Sequence, residues 1–396
     1  MCGIAGLICA DRKRLETVVS RMTAALSHRG PDEQGCLIER SFALAHTRLS
    51  IIDLQTGTQP LYAEQGRYAL IANGEVYNHV ELREELRQSG CEFASGSDSE
   101  TIVQLFAKHG PAAFDRLRGM YAAAIFDRQQ QRLTLVRDRL GIKPLFYIQS
   151  EGLFGFASEI KALLPLLPTE PEFDAAALRA ALEQNYSTGR QTPFARIQRL
   201  LPGEWMEVDG SGIRRQIRYW QPLPVAEVPR SFDAAVQALD ELMTDSVREH
   251  LRSDVPVGIF LSGGLDSSSL LSLMRDEVEA PIDAYTVGFS DGKDELSLAA
   301  HTAKALGAHH HPLKLGRQEL IDWLPLAVWS ADELMFDYAN LPTLRLAAEA
   351  ARQLKVVITG EGGDEVFAGY GRYRPNRLRN LFGRRRARRK GNFHPY

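Results

Sequence analysis

The sequence predicts a protein of two domains: a first half that mixes helices with hairpin-forming strands, and a second half of the α/β class with a parallel sheet. In the first half, residues 120–127 and 132–137 have the pattern of two strands joined by the polar turn 128–131. From residue 231 onward, strand-like runs alternate with helix-like segments, which is typical of a doubly wound parallel sheet. At 396 residues the chain is long enough for two or three separate cores.

The composition is that of an ordinary globular protein, with 44% apolar and 24% charged residues. No apolar run approaches the ~20 residues of a membrane helix, and the N-terminus lacks the pattern of a signal peptide. The cysteines have no metal-like spacing, which favours free thiols in a reducing compartment. They are Cys2, Cys9, Cys36 and Cys91. We therefore expect a cytoplasmic protein without a membrane partner.

The formal net charge of −3 conceals a basic end. Ten Arg or Lys residues and no acid lie between Arg372 and Lys390, so the remainder of the chain is acidic. A basic tail can bind nucleic acid or anionic lipid. This one has little aromatic interleaving, and the acidic body argues against nucleic acid as the main partner. We expect a solvated tail.

Two helices of the first half have recognisable beginnings. A strand over 68–72 runs into the polar segment 73–79, and a helix over 79–88 follows. A second helix is expected over 101–109, with Ser97 or Asp98 as its N-cap.

The chain begins with a residue suited to nucleophilic chemistry. Cys2 is small enough for the initiator methionine to be removed, which would leave a cysteine with a free α-amine. The thiol is a nucleophile, and an amine with a reference pKa of about 8 can accept its proton without a histidine. A cysteine at this position is weak evidence by itself, so the motifs that follow decide its meaning. The histidines His28 and His46 are interpreted as structural.

The first domain resembles the class II glutamine amidotransferases. The motifs that carry the resemblance stand in the family's order: CGIAG at 2–6, HRGPD at 28–32, RLSIID at 48–53, NGEVYNH at 73–79, SGSDSE at 95–100 and RDRLGIKPLFY at 137–147. The resemblance implies an α+β N-terminal-nucleophile domain with αββα layers over residues 2–217.

The same resemblance implies a role for each motif. Cys2 would attack the side-chain amide of glutamine, and Asn73 with the Gly74 N–H would form the oxyanion hole. The planar fork of Arg48 would hold the glutamine α-carboxylate, and two acids would hold its α-ammonium. The implied glutamine-binding residues are Arg48, Leu49, Ser50, Ile51, Ile52, Asn73, Gly74, Glu75 and Asp98.

Two glycine-rich turns mark the second domain. The apolar run 257–261 ends at Ser262-Gly263-Gly264, and a helix-compatible segment follows. Glycines between a strand and a helix allow an anion to approach the backbone N–H groups. The lysine of a Walker A loop is missing, and Asp266 can hold a cation against phosphates. A second turn, TGEGGDE at 359–365, follows the strand-like run 356–359. If the strands are parallel, both turns lie at one edge of the sheet.

Residues 231–373 resemble the synthetase domain of glutamine-hydrolysing asparagine synthetases, and SGGLDS resembles the pyrophosphate (PP) loop of AMP-forming ligases. The resemblance implies an adenine-nucleotide α-hydrolase-like fold, with a linker at 218–230 and a tail at 374–396. The implied ATP-binding residues are Leu261, Ser262, Gly263, Gly264, Asp266, Ser267, Ser268, Val287, Thr359 and Gly360. Asp266 and Asp364 would bind Mg²⁺. Glu361 would help to deprotonate the incoming amine.

The resemblance as a whole implies ATP-dependent amidation of aspartate, with ammonia from glutamine passing inside the protein. It also implies further helices and a later lysine beyond the GEGGDE loop, which have no counterpart here, so the second domain is expected to be C-terminally truncated. Two alternatives stay open: a glutamine-dependent relative that acts on another carboxylate, and an inactive remnant that acts as a binding module. A homodimer is also left open.

Overall fold

The computed structural model describes residues 1–167, 169–222, 231–289, 295–335 and 337–370. Its strands are β1 (Gly3–Cys9), β2 (Glu33–Glu39), β3 (Phe42–Arg48), β4 (Leu61–Ala63), β5 (Tyr68–Val76), β6 (Gly119–Asp127), β7 (Arg132–Arg137), β8 (Phe146–Ser150), β9 (Leu153–Ala157), β10 (Ile197–Arg199), β11 (Glu204–Asp209), β12 (Gly212–Arg218), β13 (Val257–Phe260), β14 (Asp283–Phe289), β15 (His309–Leu315) and β16 (Val356–Ile358). Its α-helices are α1 (Arg12–Ala25), α2 (His79–Gln88), α3 (Glu100–His109), α4 (Ala175–Gln184), α5 (Phe232–His250), α6 (Leu265–Glu277), α7 (Glu295–Ala305), α8 (Arg317–Ala331), α9 (Asn340–Ala350) and α10 (Gly363–Val366). Residues 223–230 of the expected linker and the expected tail 374–396 lie outside the described residues.

The first domain is built on two antiparallel sheets of six strands each. Their strand orders are β10-β8-β9-β1-β3-β2 and β12-β11-β7-β6-β5-β4. Apolar side chains from both sheets form one buried layer, in which Ile4 and Phe42 of one sheet meet Ile71 and Phe126 of the other. The rings of Phe42 and Phe126 stack with centroids 4.3 Å apart. The two sheets are therefore packed face to face around a common core.

Helices cover the outer faces of both sheets. Helix α1 begins where the Asp11 carboxylate accepts hydrogen bonds from the next turn, and its apolar residues at helical spacing, such as Leu15 and Met22, pack on the first sheet. Helices α2 and α3 bury Leu86 and Val103 against the second sheet. The layers are thus helix, sheet, sheet, helix, which confirms the predicted αββα fold.

The second domain has a four-stranded sheet of order β15-β14-β13-β16. Every neighbouring pair is parallel, which confirms the predicted parallel sheet. The glycine-rich turns at 261–264 and 359–362 follow β13 and β16, which are neighbours. Because parallel strands end at the same edge, the two turns lie side by side.

Each face of the parallel sheet carries its own helices. Residues such as Leu271 of α6 and Ala303 of α7 pack on one face, and Leu346 of α9 packs on the other. The apolar stripe of α5 is only partly used, because Val247 is buried while Leu239 is 42% exposed. None of the described helices is long and apolar enough to span a bilayer.

Charged contacts join the two domains. Arg252 forms an ion pair with Glu81 and donates to the Tyr77 carbonyl. Lys355 Nζ lies 2.6 Å from an Asp32 carboxylate oxygen. Asp332, at the end of α8, accepts from the backbone N–H groups of residues 160 and 161. The two domains are thus joined at three separate places on the first domain.

Most local predictions match the structure, and one is wrong. The hairpin is β6 and β7, and the helix expected over 79–88 is α2. Helix α3 instead begins at Glu100, and its N-cap residue Ser99 makes no side-chain capping bond. Neither Ser97 nor Asp98 is the N-cap. The Asp98 carboxylate instead accepts a hydrogen bond from the Val76 N–H at 2.7 Å.

Candidate active site

Cys2 lies immediately before β1 and follows Met1, which lines the space between the two domains. Its thiol points to the Leu49 carbonyl, with Sγ 3.8 Å from the oxygen. Its own carbonyl accepts a hydrogen bond of 2.9 Å from Arg29 Nε. Burial raises the pKa of the Cys2 thiol. The thiol is therefore held in place and mostly protonated, and it needs a base before it can act as a nucleophile.

The side-chain amide of Asn73, on β5, is an unusual polar group of the first domain. Asn73 is only 1% exposed, and neither its Oδ1 nor its Nδ2 has a hydrogen-bond partner in the described part of the chain. A buried polar group without a partner typically costs ~1–3 kcal/mol. Such a cost is expected where a ligand supplies the missing partner.

Gly74, the next residue on β5, has a backbone that only glycine can adopt there. Its φ is +150°, and a Cβ would come within 2.0 Å of the Met120 carbonyl oxygen on β6. The close pairing of β5 with β6 thus requires glycine beside Asn73. Asn73 and Gly74 thus lie in the C-terminal part of β5, which ends at Val76.

Three ionisable groups surround the site. Asp98 is buried, and this burial raises its pKa. Burial, followed by the nearby Asp98 carboxylate, raises the pKa of Glu75 to about 7. Lys143 is 6% exposed, and its Nζ lies 3.3 Å from Met1 Sδ. The resemblance assigned no role to Lys143, because nothing in its local sequence shows that it reaches the N-terminus.

The predicted glutamine-binding segment 48–52 runs along one side of the cysteine. Arg48 is buried, and its guanidinium pairs with Glu33 at 2.9 Å and donates to the carbonyls of Ile52 and Asp53. The Ser50 N–H donates to Asp32. To hold a substrate carboxylate, Arg48 would have to use N–H groups beyond these contacts or exchange one of them.

The two histidines interpreted as structural, His28 and His46, have partners within the protein. His46 is buried, its Nε2 lies 3.1 Å from the Ala72 carbonyl, and burial lowers its pKa to about 4. His28 contacts Glu159 and the ring of Trp329. These contacts support the interpretation of both residues as structural.

In the second domain, a network of serine hydroxyls shapes the first glycine-rich turn. Ser267 is buried, and its Oγ accepts from the Ser262 N–H at 3.1 Å and bonds the Ser262 hydroxyl at 2.9 Å. The Ser262 hydroxyl in turn accepts from the Gly264 N–H. Gly264 is the N-cap residue of α6 and has no side chain that could make a capping hydrogen bond. The turn is therefore fixed from inside while residues 262–264 stay exposed at the N-terminal end of a helix.

The second glycine-rich turn packs directly on the first. A Cβ on Gly363 would lie 2.5 Å from an Asp266 carboxylate oxygen, and one on Gly360 would lie 3.1 Å from the Ser267 N. Gly362 has a φ of +92°, which turns the chain into α10. The structure thus brings the two predicted nucleotide loops together, with Glu361 exposed beside them.

The residues predicted to surround the adenosine lie where these strands end. Leu261 is buried and follows β13, and its carbonyl accepts from the Thr286 hydroxyl. Val287 is half-buried in β14. Thr359 and Gly360 follow β16 and are half-buried. All four belong to neighbouring strand ends.

The two acids predicted to bind Mg²⁺ would supply some, but not all, of the oxygen ligands that the ion needs. Asp266 contacts the turn that carries Asp364, and neither carboxylate forms an ion pair within the described ranges. Among those residues no group of three or more metal-binding side chains is found. Mg²⁺ commonly takes one or two carboxylates and completes its shell with phosphates and water. The pair therefore fits a phosphate-bridging ion better than a closed protein site.

A cavity of about 430 Å³ lies between the two domains. It begins at the N-terminus and ends against β13, β16 and α9. Its lining comprises Met1, His28, Arg29, Pro31, Asp32, Leu49, Phe260, Ala347, Ala350, Ala351, Leu354, Lys355 and Val357. The floor contributed by the second domain is mostly apolar. The cavity therefore reaches Met1, the residue before Cys2, on one side and Phe260, the last residue of β13, on the other.

Comparisons with known proteins agree with this arrangement. Residues 1–220 match the family model of the glutamine amidotransferase domain, and residues 238–395 match that of asparagine synthase. Asparagine synthetase [glutamine-hydrolyzing] 1 of Bacillus subtilis is 35% identical over 379 residues, which cover 94% of this chain and 60% of that protein. A putative asparagine synthetase of Methanocaldococcus jannaschii is 31% identical over 398 residues, which cover 93% of this chain and 76% of that protein.

Another relative carries a different name. The amidase chyE of Penicillium rubens is 33% identical over 410 residues, which cover 96% of this chain and 60% of that protein. The chain thus spans about 60% of the length of most of these relatives. With a glutamine amidotransferase domain followed by an asparagine synthase domain, the chain belongs to the family of glutamine-hydrolysing asparagine synthetases.

Proposed function

We propose that this protein takes part in ATP-dependent conversion of aspartate to asparagine through an aspartyl-AMP intermediate, with ammonia released from glutamine by Cys2. The observation that carries the glutaminase half is the buried side-chain amide of Asn73, which precedes Gly74 and has no hydrogen-bond partner among the described residues. The observation that supports the synthetase half is the direct packing of the two glycine-rich turns. Cytoplasmic location and a homodimer remain predictions.

In the glutaminase reaction, removal of Met1 would free the α-amine of Cys2. The amine takes the proton from the thiol, and the thiolate sulfur attacks the side-chain amide carbon of glutamine. The Asn73 amide and the Gly74 N–H stabilise the oxyanion that forms. The proton then passes to the leaving nitrogen, the C–N bond breaks and ammonia departs. Water hydrolyses the remaining thioester, which yields glutamate and regenerates the thiol.

The acids of the site would recognise the substrate's α-ammonium. Asp98 lies close enough to Glu75 for its negative charge to raise the pKa of Glu75, after the larger effect of burial. A bound ammonium removes that repulsion and favours the ionised form of both. Arg48 would hold the α-carboxylate. Substrate binding is therefore expected to ionise Glu75 near neutral pH.

In the synthetase reaction, the turn 262–268 and the N-terminus of α6 would bind the pyrophosphate of ATP. Backbone at Leu261, Val287, Thr359 and Gly360 would surround the adenosine. A β-carboxylate oxygen of aspartate attacks the α-phosphorus and pyrophosphate leaves. Ammonia then attacks the acyl carbon and AMP leaves, with Glu361 helping to remove a proton. Mg²⁺ held by Asp266 and Asp364 would neutralise phosphate charge.

The interdomain cavity supports the coupling of the two reactions. It connects the N-terminus to the side of β13 and β16, and its second-domain lining is mostly apolar. Ammonia released at Cys2 would cross this space to reach the second domain. Neutral ammonia is the form that attacks an acyl adenylate.

A second candidate function is amidation of another carboxylate. It is favoured by the 33% identity to a relative named an amidase, which is close to the 35% identity to an asparagine synthetase. Both candidates use the same two half-reactions and differ only in the acceptor.

The test is to measure ammonia release from glutamine and AMP formation on the same purified chain, with the Cys2→Ala variant as control. The proposal expects ammonia release that Cys2→Ala loses, and AMP formation that requires aspartate. AMP formation with other carboxylates but not aspartate would favour the second candidate. If the chain forms neither ammonia nor AMP, the proposal is refuted and an inactive binding module is favoured.

A further inference from the structure

The loop that carries Lys143 is fixed at several points. The Asp138 carboxylate accepts hydrogen bonds from the N–H groups of Tyr121, Leu140, Ile142 and Lys143 at 3.0–3.2 Å. The Arg137 guanidinium donates to three carbonyls of the same region at 2.6–2.7 Å. A loop held this way can aim one side chain with little freedom.

That side chain is a buried cation without a counter-ion. Lys143 is 6% exposed, and within the described ranges no carboxylate lies within ion-pair distance of its Nζ. Its one polar contact is Met1 Sδ at 3.3 Å. Burial of an unpaired ammonium is expensive. The packing of the loop does not itself need a charge at that point.

The neighbouring cation, Arg29, differs from Lys143 in having a counter-ion. Arg29 contacts the carbonyl of Cys2, but its charge is balanced by Glu159 at 2.7 Å. Both cations are close to the chain's first amine and lower its pKa, after the larger effect of burial, to about 6. That amine belongs to Met1. Once Met1 is removed, the α-amine of Cys2 becomes the first amine of the chain, next to the same two cations.

We propose that Lys143 is a positioning residue for glutamine hydrolysis: its ammonium disfavours protonation of the Cys2 α-amine and so keeps that amine available as the base. The inference rests on the proposed function, because it assigns a task within the same reaction. The thiol proton moves to the amine only if the amine is unprotonated when glutamine binds. A fixed positive charge nearby opposes protonation.

The other charged groups around the N-terminus do not perform this task. They are Arg29, Arg48, Glu75, Asp98 and Glu159. Each arginine has a carboxylate partner, and the carboxylates favour the protonated amine. Lys143 is thus the cation of this set without an ion pair among the described residues.

A competing explanation gives Lys143 a different partner. Its charge lowers the pKa of Glu75, so it could serve mainly to keep that acid ionised for the substrate ammonium. In that case its loss would raise the KM for glutamine and leave the α-amine unchanged. A direct titration of the amine separates the two explanations.

The test compares the wild-type chain, processed at Met1, with Lys143→Met, Lys143→Arg and the exposed-site control Lys108→Met. Ammonia release from glutamine is followed from pH 5.5 to 9.5. The pKa of the α-amine is measured separately by NMR of protein labelled with ¹³C-cysteine, with the Cys2 signal assigned through Cys2→Ala. This titration does not require activity.

We expect Lys143→Met to raise the pKa of the amine by about one unit. The acidic limb of the pH profile of kcat should shift by the same amount, so that activity on that limb falls about tenfold. Activity should recover at pH 9, which also shows that the variant is folded. Lys143→Arg and Lys108→Met should resemble the wild type. An unchanged amine pKa, or an equal loss at every pH, would overturn the inference. A wild type without glutaminase activity would refute the proposed function, while the titration would still decide the role of Lys143.

Discussion

At the scale of single residues, the candidate site contains groups whose burial lowers the stability of the protein without a ligand. Among the residues that the structure describes, the buried amide of Asn73 has no hydrogen-bond partner and the buried side chain of Lys143 has no ion-pair partner. Glu75 is a carboxyl whose pKa is raised to about 7. Groups of this kind cluster where a ligand or a reaction supplies what the fold does not.

Asn73→Ala separates catalysis from stability. We expect kcat for ammonia release to fall by roughly 10²–10³, because one oxyanion donor is lost. The free energy of unfolding should stay unchanged or rise, because the amide has no bond to lose. Enzyme assays and thermal melts of the same samples check both expectations.

Asn78→Ala is the matched control for this change. Asn78 donates to the Arg116 carbonyl and accepts from the Arg118 N–H. Its removal should lower stability by about 1–2 kcal/mol and leave the chemical step nearly unaffected. If both variants lose stability equally and Asn73→Ala keeps its activity, the oxyanion assignment is wrong.

Glu75→Gln should stabilise the free protein in a pH-dependent way. The folded pKa of about 7 lies above the ordinary 4.5, so the wild type loses stability as pH rises between these values. The glutamine variant has no such loss. The two should be equally stable below about pH 4.5, and above pH 7 the variant should be more stable by about 1–3 kcal/mol.

Denaturant unfolding at pH 4 and pH 8 measures that difference. The same variant should bind glutamine more weakly, since it lacks the charge for the α-ammonium. A variant less stable than the wild type at pH 8 would contradict the raised pKa.

At the scale of elements, the nucleotide loops depend on one serine inside a helix. Ser267 lies in the first turn of α6 and fixes Ser262 through two hydrogen bonds. We expect Ser267→Ala to loosen the turn and weaken ATP binding by about tenfold, as loss of a buried hydrogen bond implies. Calorimetric titration with ATP measures this effect.

Ser269→Ala, on the same helix, is the control. No hydrogen bond of the Ser269 side chain occurs in the described part of the structure. It should bind ATP as the wild type does, and ammonia release should be unchanged in both variants. Equal loss of ATP affinity in both would mean that helix α6, rather than the turn, is affected.

Local pattern predicted some elements well and others poorly, for physical reasons. Helix α2 and the hairpin of β6 and β7 follow from periodicity and turn residues near in sequence. Asp98 looked like a helix cap, but its carboxylate bonds Val76, which is distant in sequence. In α5, Val247 is buried while Leu239 is 42% exposed. A periodic pattern shows which face of a helix is apolar and not what covers that face. The place of Lys143 beside the N-terminus could not be predicted, because Met1 lies 142 residues away in the sequence.

At the scale of the whole molecule, residues of both domains line one cavity. Lys355 and Asp32 form an ion pair across the boundary, and so do Arg252 and Glu81. The motifs predicted the content of each domain, since their residues lie within short segments. The cavity could not be predicted, because it depends on how α9 and β16 face the N-terminus.

The central claim is that Cys2, freed of Met1, attacks the side-chain amide of glutamine. The most direct measurement is labelling of the intact chain with an electrophilic diazoketone analogue of glutamine, followed by peptide mass spectrometry. The account predicts one adduct, on a Cys2 that begins its peptide, with labelling that excess glutamine prevents. Labelling of Cys9, Cys36 or Cys91 instead, or no adduct on a processed Cys2, would contradict it.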